Sequence, residues 1–404
     1  MRELVAAVRR GDAEAVTSLL ESGADPDTLA EGLPVLCLAV AAYDTDVADA
    51  LLQAGADPLR PLPDGSTPLT RAVDGGSHLL THALATGRKP LTAPARADML
   101  ARARRWAEAG AETELRRITG LTGPIERIRV EDGEIGWWCE QLTLGPVTVR
   151  DEHRAVLTSM EALYGIRTPF DELAARALAH PDRSHVVWCD VVFTLGRRID
   201  EETWQRSRDL LDHPDRTHRL LAADLLLSLI LGDVVKGRQP FWERGRELVP
   251  WAEQEEDPQV LAVLLHAMTH DSAPEIEAVG LSCLTHPDPT VRALVPETVH
   301  RPESLTTVLA LAHDEDPGVR EAVCHWLAHH RGPEPEVGDA LVSLTHDEQQ
   351  VIRIGAVSGL AVRDDPRCVE AGHRIGPVAE ELRDDERLHD VWRYQRRREE
   401  ADGG

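Results

Sequence analysis

The amino-acid sequence predicts an all-α fold made of two successive α-solenoids, with a small β-hairpin between them. Short motifs return about every 32 residues near the start of the chain, and a different motif returns every 28 to 33 residues in its second half. The segment between these patterns has the alternation and turn residues of a hairpin. Repeats with such periods are typical of stacked helical units, each of which buries its apolar face against the next.

The composition indicates a globular protein and disfavours two classes of partner. The chain has 404 residues, of which 42% are hydrophobic and 28% charged, and its formal net charge is −26. A nucleic-acid binder needs a basic surface that displaces counterions, so this charge argues against nucleic acid and against anionic membranes. The most apolar later stretch, 220–235, contains two aspartates and is too short to span a bilayer. We expect a cytoplasmic monomer.

The six cysteines point to neither a disulfide framework nor a zinc site. They are scattered among apolar residues, and none forms a CxxC pair. Buried, reduced thiols are the expectation, because free cysteine is among the most buried residue types. We expect no metal ion and no cofactor.

The first repeat pattern covers residues 1–90. Gly-Ala-Asp-Pro at 23–26 recurs at 55–58, and a Leu-Leu pair precedes both copies at the same distance. Asp-Gly-Ser-Thr-Pro-Leu at 64–69 supplies a capping hydroxyl and a proline at a helix start. These motifs resemble the ankyrin repeat, with Thr70 where that family usually has histidine.

The resemblance implies about three ankyrin units, at 1–28, 29–61 and 62–90, with incomplete outer units acting as end caps. It also implies that hairpin tips and first helices contact a partner. The matching positions are Asp27, Glu31, Tyr43, Arg60, Leu62, Asp64 and Arg71. The alternative for each is an ordinary surface residue, because few exposed side chains form a binding hot spot.

Residues 91–170 fit neither repeat pattern and predict a connecting segment. The stretch 95–118 predicts one or two helices, and 151–165 predicts another. Between them, 125–130 and 135–144 predict a β-hairpin around an Asp-Gly turn at 132–133. Three ankyrin units are near the minimum for stability, so we expect the ankyrin block to pack against this segment.

The second repeat pattern covers roughly residues 171–382. Its clearest copies lie at 284–292, 311–320 and 344–353, and two of them contain Asp-Pro-x-Val-Arg at a helix start. This motif resembles the HEAT repeat, in its phycobilisome-lyase-like form, whose helix pairs stack into a superhelix. Earlier copies near 180, 213 and 257 are looser, with Val186 and Leu261 where arginine is expected.

The HEAT resemblance implies a buried polar ladder between neighbouring repeats. The matching residues are Asp288, Arg292, Asp316, Arg320 and Arg353. After the last repeat, 383–404 predicts a charged helix and tail, with Leu388, Val391 and Trp392 on its apolar side. Such a helix either covers the end of the array or serves as a basic docking motif.

Two enzymatic interpretations deserve comparison with a binding function. HEAT-like di-iron hydroxylases carry paired histidines and acids, and this chain has four His-Asp pairs, at 270–271, 313–314, 346–347 and 389–390. Most of these pairs fall in inter-helix turns, where histidine ends one helix and aspartate caps the next. HEAT-like DNA glycosylases need an aromatic-plus-acid pocket, for which Trp188 with Asp190, or Trp326, are candidates.

We therefore predict a non-catalytic interaction scaffold or regulator of bacterial, actinobacterial type. The sequence contains no GxSxG, HExxH or phosphate-binding glycine loop. The acidic composition favours a basic protein or peptide as the partner. The alternative is a HEAT-fold enzyme that resembles a nucleobase glycosylase or a metal-dependent hydroxylase.

Overall fold

A computed structural model describes residues 2–87, 90–132, 136–236, 241–330, 332 and 334–402. The chain divides into two compact units, Met1–Thr203 and Trp204–Gly404. Helix is the dominant structure of the described residues, as predicted, and it is accompanied by two small antiparallel sheets. None of the described helices combines the length and the apolar character needed to cross a membrane.

The first unit begins with three helix pairs, which correspond to the three predicted ankyrin units. The helices are α1 (Arg2–Arg10), α2 (Ala13–Glu21), α3 (Val35–Ala42), α4 (Thr45–Gln53), α5 (Pro68–Gly75) and α6 (His78–Thr86). A two-residue hairpin, β1 (Leu29–Ala30) with β2 (Leu33–Pro34), precedes the second pair. At α5 the Thr67 hydroxyl accepts a hydrogen bond from the Thr70 N–H, and Pro68 opens the helix, so the predicted cap is confirmed.

The connecting segment packs on the ankyrin helices. It contains α7 (Ala93–Ala109), α8 (Ala111–Thr119) and α9 (His153–Leu163). Met99 and Ala103 of α7, and Met160 of α9, are buried in the same apolar core as the ankyrin helices. This shared core explains how so short a repeat array is stabilised.

The hairpin in this segment has a third strand that the sequence analysis missed. Strands β3 (Glu126–Asp132), β4 (Trp137–Leu144) and β5 (Val147–Arg150) form an antiparallel sheet in chain order. Leu142 of β4 pairs with Arg127 on one side and with Val149 on the other. The predicted turn at 132–133 lies at the edge of the described residues, and Gly133 is outside them.

Helix pairs continue after this sheet. The first unit ends with α10 (Phe170–Leu178) and α11 (Val186–Gly196), and α12 (Glu201–Leu211) contains the boundary between the units. The second unit holds α13 (Arg216–Lys236), α14 (Val249–Ala252), α15 (Pro258–Met268), α16 (Pro274–Ser282), α17 (Pro289–Arg292), α18 (Leu305–Leu309), α19 (Pro317–His329), α20 (Pro335–Leu344), α21 (Gln350–Val362), α22 (Arg367–Gly372) and α23 (Asp390–Asp402).

Within the second unit, the second helices of successive pairs pack side by side. Helix α13 contacts α15, α15 contacts α17, and the series continues through α19 and α21 to α23. The C-terminal helix therefore covers the last repeat. Its buried aromatic residue is Tyr394, 5% exposed, whereas Trp392 is 58% exposed, so the predicted apolar side was wrong at that position.

Candidate functional site

Asp27 and Arg60, two of the predicted ankyrin contact residues, join neighbouring hairpins. The Asp27 carboxylate accepts a hydrogen bond from the Asp57 N–H at 3.1 Å. Arg60 Nη1 donates to the Asp27 backbone oxygen at 3.2 Å. Both side chains therefore hold the ankyrin turns together.

Asp64, Arg71 and Leu62 are also engaged within the third ankyrin unit. Arg71 donates to the Asp64 carboxylate at 2.9 Å and to the Ser66 hydroxyl at 3.0 Å. Hydrogen bonds from Ser66 and Arg71 lower the pKa of Asp64. The side chain of Leu62 is in the core, 6% exposed.

Tyr43 is largely covered, whereas Glu31 is open to solvent. The Tyr43 hydroxyl donates to the Gly75 oxygen at 2.9 Å, and the Arg150 guanidinium lies 4.3 Å from its ring centre. Burial raises the Tyr43 pKa. Glu31 pairs with Arg9, and its side chain is 82% exposed. Partner binding by the seven ankyrin positions stays a prediction.

The ladder arginines share one hydrogen-bond pattern. In each case Nη1 donates to the backbone oxygens five and six residues earlier, across the turn that starts the helix. For Arg292 the nearer acceptor is the His286 oxygen at 2.8 Å, and for Arg320 it is the Asp314 oxygen at 2.9 Å. Arg353 donates in the same way to the Asp347 oxygen at 2.7 Å. Arg219, which the sequence analysis did not assign to the ladder, follows the same pattern.

The acids of the ladder differ from the predicted ones. Arg292 forms a two-point pair with Asp314, at 2.7 and 2.8 Å, and Arg320 pairs with Asp347. Asp288 and Asp316 instead cap α17 and α19, where they accept backbone N–H groups. The assignment of Asp288 and Asp316 to the ladder was therefore wrong. The carboxylate that reaches the arginine stands two residues before the cap, on the turn of the next repeat.

A third pair shows that this position is general. Arg219 forms a two-point pair with Glu255, at 2.8 and 2.9 Å, and Glu255 stands two residues before the cap Asp257. The acids of two predicted His-Asp pairs, Asp314 and Asp347, thus serve the ladder. The constant offset from the cap was the signal that sequence reasoning missed.

Where the arginine is absent, the acid is absent too. Helix α15 has Leu261 at the arginine position, and the next repeat has His286 two residues before its cap. His286 Nδ1 accepts the Asp288 N–H at 3.1 Å, as the Asp314 carboxylate accepts the Asp316 N–H at 2.9 Å. An imidazole acceptor therefore keeps the turn without leaving a covered carboxylate unpaired.

The second helices of the second unit border an open groove of about 630 Å³. We call it the acidic groove. Its lining comes from α15, α17, α19 and α21 and includes His266, His270, Glu297, Glu321, His325, Gly355 and Arg387. Glu297 and Glu321 are exposed, and the charge of Glu321 is one of the causes that raise the pKa of Arg387. Arg387 is paired with Asp385 at 2.7 Å, so the two glutamates set the sign of the groove's charge.

The acidic groove lies in the most acidic part of the chain. Residues 251–350 contain nineteen acidic and four basic residues, a net charge of −15 out of −26 for the whole chain. Two of the four cations, Arg292 and Arg320, are held by the ladder. Of the nineteen acids, Glu255, Asp257 and Asp271 are among those that pair with arginines from outside this stretch. The acidic excess that remains attracts cationic partners.

A second cluster of side chains, in the first unit, has potential ligand atoms as close together as those of a metal site. Asp151, His180 and His185 are the only described group of three potential ligands whose atoms lie within 4.8 Å of one another. His180 Nδ1 and His185 Nε2 lie 3.6 and 3.4 Å from the two carboxylate oxygens of Asp151. The cluster borders a pocket of about 490 Å³ that also includes Trp138 and Glu140.

The hydrogen bonds of this cluster do not fit metal ligation. His185 Nδ1 accepts the Val187 N–H, and His180 Nε2 accepts from Arg154. Because these nitrogens accept, the ring protons lie on the nitrogens that face Asp151, whereas a metal ligand directs its proton outward to an acceptor. The two rings are also stacked, 4.2 Å apart. Asp151 thus acts as a bridging carboxylate between two imidazoles, and burial lowers the pKa of His180 to about 4.

Of the glycosylase-like candidates, Trp188 does not reach the surface. Its indole is 1% exposed and belongs to the core, and Asp190 beside it is 5% exposed. Trp326 borders a separate pocket with three histidines, His300, His329 and His330. The six cysteines are free, and five of them are buried, as predicted.

Comparison with known families agrees with both repeat assignments. The family described as ankyrin repeats (3 copies) matches residues 4–91, and the family described as HEAT repeats matches residues 293–361. No curated protein matches the chain. The helix pairs of the structure extend the second pattern on both sides of its matched residues. The chain is an ankyrin-repeat array fused to HEAT-type repeats, built as a tandem α-solenoid.

Proposed function

We propose that the protein is a non-catalytic interaction scaffold that binds a basic protein segment in the acidic groove. Ankyrin and HEAT repeats are typical protein-interaction modules, which supports the general class. The observation that carries the specific proposal is the coincidence of the groove with the segment of net charge −15. A lysine- or arginine-rich segment would meet Glu297 and Glu321 there.

The shape of the groove suits an extended or helical segment. Gly318, Ala322 and Gly355 line it, and their small side chains leave room between successive helices. Exposed imidazoles of His270 and His325 offer additional hydrogen-bond acceptors along its length. Because these groups lie at the surface, we expect their electrostatic contribution to act mainly on association rate and specificity, and to weaken with salt.

The ankyrin array is the less favoured site for the same partner. Five of its seven predicted contact residues, Asp27, Tyr43, Arg60, Asp64 and Arg71, are engaged in internal hydrogen bonds. Leu62 is in the core, which leaves Glu31 as the most accessible of the seven. Reversal of Glu31 therefore tests the ankyrin surface against the acidic groove.

The test uses a fluorescein-labelled nona-arginine peptide and fluorescence anisotropy at low salt. We expect the double variant Glu297→Arg/Glu321→Arg to raise Kd about tenfold or more. The matched control Glu253→Arg/Glu336→Arg makes the same charge change in residues 251–350 but outside the groove. If the control weakens peptide binding equally, the effect comes from the net charge of the protein and not from the acidic groove. Weakening by Glu31→Arg alone would move the site to the ankyrin array.

A further inference from the structure

A second groove, on the first unit, differs in character from the acidic groove. Helices α9 and α11 border it, and its volume is about 570 Å³. Leu163, Ile166 and Phe193 line it and are 40%, 44% and 54% exposed. Large apolar side chains that are exposed together in one groove are typical of an interaction surface. We call it the Phe193 groove.

The groove has the geometry that accepts a helix. Helix α11 presents Asp190, Phe193, Thr194 and Arg197 to it, at positions i, i+3, i+4 and i+7. The α9 side presents Ser159, Ala162, Leu163 and Ile166 at the same spacing. Small residues on the α9 side allow close approach, and the apolar residues supply anchor contacts. This arrangement matches the helix-in-groove mode of recognition.

The lining of the Phe193 groove carries several cationic side chains, whereas the whole chain is acidic. Its lining contains the three arginines Arg167, Arg197 and Arg198. Arg167 is paired with Asp200 and Glu202, each at 2.9 Å. Arg198 donates to a neutral acceptor, the Thr168 backbone oxygen, at 2.6 Å, and Arg197 lies over the Phe193 ring at 5.2 Å.

The carboxyl group in the lining, Asp190, adds no negative charge at neutral pH. Burial raises its pKa to about 8, and burial also lowers the pKa of His78, 3.6 Å away, to about 4. Within the described structure, Asp190 Oδ2 has no hydrogen-bond partner.

We propose that the Phe193 groove binds an amphipathic, acidic helix of a partner protein. Its apolar residues, spaced i, i+3, i+4 and i+7, would pack on Leu163, Ile166 and Phe193. Its glutamates or aspartates would meet Arg197 and Arg198. The protein would then join two kinds of partner, because a basic segment in the acidic groove and an acidic helix here cannot exchange sites.

The probe is a labelled 20-residue peptide with leucine at i, i+3, i+4 and i+7 and glutamate on the opposite face. A matched peptide carries lysine in place of every glutamate. We expect the glutamate peptide to bind the full chain at low salt and to weaken at least fivefold at high salt. The lysine peptide should not compete with it.

Substitutions locate the binding. We expect Phe193→Ser and Arg197→Glu each to raise Kd for the glutamate peptide at least fivefold. Val362→Ser, at a site 63% exposed in the second unit, should leave Kd unchanged. If circular dichroism shows that Phe193→Ser perturbs α11, Ile166→Ser beyond the end of α9 replaces it. The proposal is overturned by absent binding, by equal loss with Val362→Ser, or by displacement with the lysine peptide.

The variants of the acidic groove separate the two proposals. Glu297→Arg/Glu321→Arg should leave the glutamate peptide's Kd unchanged while it weakens the nona-arginine peptide. Hydrogen exchange gives an independent readout, since bound glutamate peptide should protect the stretch 190–197. Protection confined to the second unit would contradict the proposal.

Discussion

The two units differ in the polar groups that they bury. In the first unit, His153 and Asp190 are buried and His78 is half-buried, and burial shifts each pKa towards the neutral form. The same unit also buries an ion pair, Arg176 with Glu161. In the second unit, Arg292 with Asp314 and Arg320 with Asp347 form largely covered charged pairs, which join successive repeats at one recurring position. A buried charge without a partner costs more than a buried neutral group, and in the ladder each arginine receives its partner from the turn of the next repeat. In the HEAT-type repeats, therefore, the residue at the arginine position of one repeat and the residue on the turn of the next repeat depend on each other.

The strongest test of this difference removes the arginine from one arginine–carboxylate pair of the ladder. Arg292→Leu leaves Asp314, whose side chain is 8% exposed, without its guanidinium. We expect a loss of about 3–5 kcal/mol in the free energy of unfolding, measured by urea denaturation. The double variant Arg292→Leu/Asp314→His has the combination that Leu261 and His286 provide one repeat earlier. It should recover most of the lost free energy. Failure to recover would mean that the natural exchange at 261 and 286 is not compensatory.

A glycine pair tests how the ankyrin array is held to the connecting segment. Gly76 has φ +73°, and a Cβ there would lie 2.2 Å from the Arg150 backbone oxygen. We expect Gly76→Ala to cost about 3 kcal/mol, since it adds a clash to an unfavourable backbone conformation. Gly65, with φ +81° and open space around it, is the control and should cost about 1 kcal/mol. Similar thermal unfolding of both variants would show that the close packing at Gly76 is unimportant.

The buried neutral groups predict how stability depends on pH. Between pH 6.5 and 8, folded Asp190 keeps a proton that the unfolded carboxyl group has lost, so stability should fall as pH rises, by about 1.4 kcal/mol per unit. Below pH 6.5, His78, His153 and His180 stay neutral in the folded chain down to about pH 4. The unfolded histidines take up protons there, so stability should fall again as pH drops.

Calorimetry of Asp190→Asn measures the alkaline side of this profile. The asparagine cannot titrate, so the midpoint temperature should change less between pH 6.5 and 8 than in the natural chain. An unchanged slope would assign the effect to another group. The ladder pairs of the second unit, which stay charged over this range, should contribute little to it.

The smallest expected effect distinguishes a cap from a ladder acid. Asp316 accepts the Gly318 and Val319 N–H groups at the start of α19. Asp316→Ala should therefore cost about 1 kcal/mol, the usual value for a helix cap. Asp347→Ala, which strands the buried Arg320, should cost several times more. Equal urea midpoints for the two variants would contradict the corrected assignment of the ladder.

Local motifs allowed much of the fold to be predicted. The Thr67 cap, the helix pairs and the β3–β4 hairpin depend on residues a few positions apart, and the sequence displays them directly. Strand β5 was missed because Val147–Arg150 is too short to show a period of its own. Trp392 was misassigned because its helix begins only at Asp390, which sets a different buried face around Tyr394.

The candidate sites were less predictable because they depend on side chains from distant repeats. The acidic groove joins residues from His266 to Arg387, and the Phe193 groove joins His82 to Arg198. Neither set has a common motif, since an exposed lining is not constrained by packing. Asp190 was considered only as part of an aromatic-plus-acid pocket with Trp188, and its role in the groove lining appears only in the folded chain.

The sequence by itself determined the two repeat types, their order and the acidic character of the chain, because period, caps and charge are local or additive properties. Tertiary structure alone decided which acid meets each arginine. The choice between Asp314 and Asp316 depends on which carboxylate the turn of the next repeat directs at Arg292. It also decided that Asp190 is buried enough to stay neutral, since desolvation depends on what the fold packs around a group.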